Sequence, residues 1–147
     1  SDRENDASTE KKVSAGLREM SMELPVPGIL ESPFGVFESK IFSYKKQKIE
    51  EKKYTKWFDY DKIKNSPCVR TRRQGDYLTV NSEGGRKKLN RIFIDEKIPA
   101  EMRDRLPVVA VGSEILWIPG GRMNEKYKIT STTGRVLELH YQGGALA

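Results

Sequence analysis

Most of the chain alternates short apolar runs with polar breaks, and a helical period is clear in only one stretch. Over residues 86–96, Leu89, Ile92, Phe93 and Glu96 share one face at about 100° per residue, with Lys87, Lys88 and Arg91 opposite. The spacing predicts an amphipathic helix there, ended by Ile98-Pro99, with Ile94 off the main stripe. Elsewhere the period is closer to two. Over 32–44, Phe34, Val36, Glu38, Lys40, Phe42 and Tyr44 fall on one side, and Gly35, Phe37, Ser39, Ile41 and Ser43 on the other. Further strands are expected over 54–60, 68–73, 108–111, 114–118, 126–131 and 135–141, with a short apolar segment at 77–80, a polar turn or helical turn at 61–66 and a polar turn of helix at 100–105. Gly75-Asp76, Gly84-Gly85, Gly112-Ser113, Pro119-Gly120-Gly121 and Thr133-Gly134 supply turns between them. The pattern therefore predicts an α+β fold: short, mostly antiparallel strands in a sandwich-like arrangement, with one well-formed amphipathic helix packed on them. Trp117, inside an apolar strand, is read as core in preference to an exposed base-stacking ring.

Residues 1–24 are polar with charges of both signs and read as a linker or the end of a preceding helical domain. Val13, Leu17 and Met20 allow a short helix over 11–20, and Pro25, Pro27 and Gly28 then break it. Residues 25–142 read as one domain and 143–147 as a disordered tail. The run 45–53 reads as a solvated hairpin tip or helical turn, because Glu50 and Glu51 offset its lysines. A chain that starts at Ser1 leads to the expectation of a fragment.

Composition narrows the chemistry. The 147 residues are 36% hydrophobic and 33% charged, with a formal net charge of +6, which favours a polyanionic partner. Cys68 is the only cysteine and His140 the only histidine, so an intrachain disulfide and a Cys-rich zinc site are excluded. No apolar run approaches the ~18 residues that span a bilayer, and no signal-peptide core is present, so the chain reads as cytoplasmic with no membrane partner. No metal-ligand spacing and no Gly-rich nucleotide loop occur. Asp95, Glu96, Glu101 and Asp104 read as surface ion-pair partners, which leaves no candidate catalytic residue and no metal.

Charge is concentrated. Arg70, Arg72, Arg73, Arg86, Lys87, Lys88 and Arg91 carry seven positive charges against Asp76 and Glu83, an excess of five where the whole chain has +6. Arginine forks hold phosphate bidentately and lysines add diffuse attraction. Lysines in the first turn of a helix oppose its dipole, so Lys87 and Lys88 suggest an anion site shared with the helix N–H groups.

Residues 68–73 with Gly75-Asp76, then Gly85-Arg86-Lys87-Lys88-Leu89, Phe93-Ile94-Asp95-Glu96-Lys97-Ile98-Pro99, Arg103-Asp104-Arg105-Leu106-Pro107-Val108-Val109 and Ile115-Leu116-Trp117-Ile118-Pro119-Gly120 resemble the C-terminal domain of bacterial tRNA(Ile)-lysidine synthetase. The likeness is strongest over 68–122 and extends weakly back to Trp57-Phe58-Asp59-Tyr60-Asp61. It implies a parent ligase that uses ATP, with magnesium, to join lysine to the wobble cytidine of the CAU-anticodon isoleucine tRNA. It places catalysis in an N-terminal domain with a Ser-Gly-Gly-x-Asp-Ser phosphate loop. Gly84-Gly85 and Gly120-Gly121 lack that serine and aspartate, so this fragment is expected to be inactive alone and to need no cofactor. The implied partners are tRNA(Ile) and the parent's catalytic domain, with a homodimer left open. Arg70, Arg72, Arg73, Arg86, Lys87, Lys88 and Arg91 are the tRNA-binding candidates, and Arg103, Arg105 and Arg122 the weaker ones. The alternative is a docking or dimerisation module with no direct RNA role, which requires a large exposed apolar patch.

Overall fold

The computed structural model describes residues 20–49 and 52–143, so the helix expected over 11–20 lies almost wholly outside the described residues, as does 144–147. Among the described residues ten strands form two sheets. The first has six, in the spatial order β1 (Ser21–Glu23), β5 (Cys68–Arg70), β8 (Val108–Val111), β9 (Glu114–Trp117), β6 (Tyr77–Thr79) and β7 (Arg86–Lys88). The second has four, in the order β2 (Gly28–Ser32), β3 (Gly35–Ser43), β10 (Arg135–Gly143) and β4 (Thr55–Asp59). Every pairing is antiparallel except β6 with β9, so the mostly antiparallel α+β expectation holds. Helix α1 (Leu89–Asp95) and the short α2 (Ala100–Arg103) complete it.

The six-stranded sheet is covered on both faces. Val108, Ala110 and Ile115 pack with Leu89, Ile92 and Phe93 of α1. Val69, Val109 and Trp117 turn the other way and pack with Phe37, Phe58, Leu137 and Leu139 of the second sheet. Each such side chain contributes roughly 1.5–3 kcal/mol by leaving water. In β9 the register slips opposite Val109 and Ala110, so the successive residues Leu116 and Trp117 both enter the inter-sheet core. Trp117 is fully buried, as its apolar setting predicts. In β3 the predicted alternation also holds: Gly35, Phe37 and Ser39 are buried while Val36 and Lys40 face water.

Several expectations are corrected. Residues 86–88 are strand, because Arg86, Lys87 and Lys88 pair with Thr79, Leu78 and Tyr77, and the helix begins only at Leu89. The Leu89 N–H is donated to the Asp76 carbonyl at 2.9 Å. This seven-residue helix therefore offers no anion site with Lys87 and Lys88. Residues 126–131 form no strand. A 3-10 turn at Glu125–Tyr127 takes their place, capped by Asn124, whose side chain accepts from the Lys126 N–H at 3.0 Å. Phe34 does not share the side of exposed Val36, because it sits in the β2–β3 turn, where it is buried and its carbonyl accepts the Tyr141 hydroxyl at 2.6 Å. The folded unit also reaches further than 25–142. Ser21–Glu23 pairs with β5, Leu24 is buried, and Gly143 pairs with Gly35.

Arg70 belongs to the interior. Its side chain is buried, and its guanidinium donates to both Asp76 carboxylate oxygens, at 2.8 and 2.9 Å. It donates further to the Thr71 carbonyl at 3.0 Å and the Gly112 carbonyl at 2.8 Å. Burial alone would pull the guanidinium down, but the bonds and charge of Asp76 outweigh it and hold it above its ordinary value. Gly75 and Gly112 make the arrangement reachable: both adopt positive φ, 91° and 59°, where a side chain is strained.

Two outcomes are expected in urea denaturation. Phe93→Ala should cost about 3–5 kcal/mol, whereas Ile94→Ala on the outer side of α1 should cost less than about 0.5 kcal/mol. Asp76→Ala should cost about 3–5 kcal/mol by leaving the Arg70 charge buried and unpaired, and the double change Arg70→Met with Asp76→Leu should cost less than that single one.

Candidate nucleic-acid interface

β7 is an edge strand, and three consecutive cations occupy it. Strand geometry sends alternate side chains to opposite faces. Leu78, opposite Lys87, enters the α1 core, so Lys87 lies on the α1 side. There its ammonium pairs with Asp95, which Arg91 also contacts at 3.2 Å. The hydrogen bond from Lys87, with the charges of Lys87 and Arg91, holds the Asp95 carboxyl below the usual carboxylate range. Arg86 and Lys88 go to the other face, with Tyr77 and Thr79. The Arg86 guanidinium lies 4.6 Å from the centroid of the Tyr77 ring. That contact orders Arg86 without using its charge on a carboxylate.

The turn before β6 brings Arg73 to the same end. Its backbone N–H is donated to Asp76 at 2.7 Å, and its side chain is exposed. Tyr77, next after Asp76, pairs with Lys88. Arg73 and Lys88 thus flank one end of the β6–β7 ribbon, with Arg86 at the other. Among the described residues none of these three has a carboxylate partner.

The remaining candidates are committed elsewhere. Arg70 is buried, so the expected display of an arginine cluster at 70–73 is reduced to its later members. Arg72 donates to Asp104 at 2.9 Å and to Asn90 at 3.1 Å, tying β5 to both helices. Arg103 donates to the Ile98 carbonyl at 2.9 Å and Arg122 to the Val80 carbonyl at 3.2 Å. Arg105 is half-buried beside Met102, Leu106 and Tyr54 and has a partner of its own. The fold therefore brings Arg73, Arg86, Lys87, Lys88 and Arg91 to one ribbon-and-helix edge and removes Arg70 from it. Two residues that matter here carry no charge signal in the sequence: Tyr77, the platform under Arg86, and Asn90, the anchor of Arg72. In the sequence Asp76 is only a stray negative. Its spacing from Arg70 across Gly75 is the feature that could have marked a returning turn. His140 is a surface residue whose Nδ1 lies 2.7 Å from the Thr55 hydroxyl. No group of His, Cys, Asp and Glu among the described residues could hold a metal.

The family described as the TilS substrate C-terminal domain matches residues 68–139. A tRNA(Ile)-lysidine synthase of Caldanaerobacter subterraneus subsp. tengcongensis is 50% identical over 88 residues, covering 60% of this chain and 19% of that protein. One from Geobacillus kaustophilus is 37% identical over 123 residues, covering 82% of this chain and 26% of that protein. The chain thus spans roughly a fifth to a quarter of the length of the curated relatives it matches. A solved structure, "Crystal structure of TILS C-terminal domain", superposes with a TM-score of 0.71 at 33% identity, over 84% of this chain and 96% of that one. Fold, motif order and sequence agree, and the chain belongs to the family of tRNA(Ile)-lysidine synthase C-terminal domains.

Proposed function

We propose that this chain is the tRNA-holding part of a tRNA(Ile)-lysidine synthase and that the β6–β7 edge carries the contact. One observation supports the site above all. Arg86 and Lys88 on the ribbon and Arg73 in the turn before it are exposed without carboxylate partners among the described residues, so their charge is available to phosphate. Lys87 and Arg91 add to the field but share Asp95. A-form RNA is gripped through its phosphates and 2′-hydroxyls, which suits a ribbon edge bearing flexible cations.

On this reading the ligase chemistry, with its ATP, magnesium and lysine, resides in the remaining four-fifths of the parent. This chain alone turns over no ATP. Its partners are tRNA(Ile) and the parent's catalytic domain, in the cytoplasm. The docking alternative asks for one large apolar patch. Among the described residues the large exposed apolar side chains are Ile29, Val36, Ile49, Tyr54, Ile94 and Met102, and Tyr54 and Met102 border one hollow of about 150 Å3.

Binding of the CAU-anticodon isoleucine tRNA should weaken steeply with salt. The variant Arg73→Ala/Arg86→Ala/Lys88→Ala should lower the log–log salt slope by roughly 2–3, at about 0.9 per phosphate contact. Filter binding across a salt series measures it, and an unchanged slope removes this edge from the interface.

A further inference from the structure

The basic edge does not end at β7. Tyr77, which carries Arg86, also lines a groove of about 290 Å3 whose other walls include Lys62, Lys64, Lys126 and Ser113. Lys62 and Lys64 come from the turn after β4, and Lys126 from the 3-10 turn at Glu125–Tyr127, so the tertiary fold alone gathers the three lysines. Their charge is only loosely used. Lys64 donates to a backbone carbonyl, that of Asp61, at 2.6 Å. The Asp61 carboxylate is itself held by Arg135, at 2.7 and 2.9 Å. Lys62 and Lys126 stand 3.8 Å from Asp59 and 3.7 Å from Glu114, and both lysines are well exposed. The two carboxylates have closer partners: Asp59 accepts the Thr133 hydroxyl at 3.0 Å, and Glu114 accepts the Tyr127 hydroxyl. A phosphate oxygen can therefore take these lysines without stranding a buried carboxylate.

Lys64 and Asn65 also border a second hollow, of about 320 Å3, on the far side of their loop. Its walls are different. Val26, Ile63 and the Tyr60 ring, which also carries Arg135 at 4.9 Å, stand beside Glu23, Asn65 and Ser66 in a mainly polar lining. The volume is at the lower end of small-ligand sites, about 300 Å3. A slot with one aromatic wall and polar groups for a base edge, joined through Lys64 and Asn65 to a lysine-lined groove, matches the two halves of a nucleotide, base and backbone.

Resting on the tRNA reading above, we infer that the Lys62–Lys64–Lys126 groove and the adjoining slot beside Tyr60 form a binding site for an unpaired stretch of RNA. Phosphates lie over the lysines and a base enters the slot. The site continues the β6–β7 edge through Tyr77, so paired RNA held at the edge would feed its single-stranded extension into the groove.

The test is fluorescence anisotropy with the whole chain and three probes: isoleucine tRNA, a short unstructured oligoribonucleotide within the ~4–16 nucleotides such sites span, and a blunt RNA duplex. For Lys62→Gln/Lys64→Gln/Lys126→Gln, oligoribonucleotide affinity should fall roughly tenfold or more and the salt slope by about 2, at about 0.7 for each phosphate that a single strand no longer has neutralised. Duplex affinity should stay within roughly twofold, since the duplex lies on the other side of Tyr77. Lys64→Glu alone, a surface change that gives up one hydrogen bond to a backbone carbonyl, should weaken the oligoribonucleotide in the same direction. Unchanged oligoribonucleotide affinity in both variants overturns the inference, as does an equal loss for the duplex. If the unaltered chain binds tRNA but not the oligoribonucleotide, this site falls and the tRNA reading stands. If it binds neither, both fall.

Discussion

A guanidinium removed from water has to be paired and hydrogen-bonded almost completely, or it costs several kcal/mol. Arg70 meets that condition by drawing together the end of β5, the turn at Asp76 six residues on, and the remote Gly112 between β8 and β9. The consequences spread outward from Asp76. Its carboxylate also accepts the Arg73 N–H, its carbonyl accepts the Leu89 N–H that starts α1, and Tyr77 begins β6 directly after it. The position of the β6–β7 ribbon, and of the cations on it, thus depends on one internal ion pair. That gives a buried charge in this domain a structural use, because no apolar side chain could fix three backbone segments in register.

The ribbon it positions is an unpaired sheet edge, and cations there serve two physical ends at once. Lysine and arginine on an edge strand discourage pairing with other strands. The same charges attract phosphate. The two roles separate by partner. Lys87 and Arg91 converge on Asp95 beside α1 and consolidate the helix. Arg86 is ordered by the Tyr77 ring, and Arg73 and Lys88 extend to solvent. An aromatic platform orders a guanidinium while leaving its N–H groups free, whereas a carboxylate both orders and neutralises it. Tyr77 is also where the ribbon meets the lysine groove, so one aromatic side chain lies between the two parts of the basic surface.

The architecture sets how far periodicity can be read. In β3, with one face on the core and one in water, alternation is clean and the predicted sides hold. The six-stranded sheet is buried on both faces, so β8 and β9 read as continuous apolar runs, and the slip that sends Leu116 and Trp117 into the same core leaves no polar mark. β1 and β2 escape prediction because three to five residues between prolines and glycines carry too little period to register. The pattern puts the start of α1 too early because Arg86, Lys87 and Lys88 fit the polar side of a helix as well as an edge strand.

From its order of residues alone, the chain determined its class of fold, the presence and inner face of helix α1, its basic character and its family. Each of those rests on local pattern or on composition. Which arginines face water was decided only by the tertiary structure. A cation's availability depends on the nearest carboxylate in space, and for Arg70 and Arg72 those carboxylates, Asp76 and Asp104, come from turns that only the folded sheets bring close.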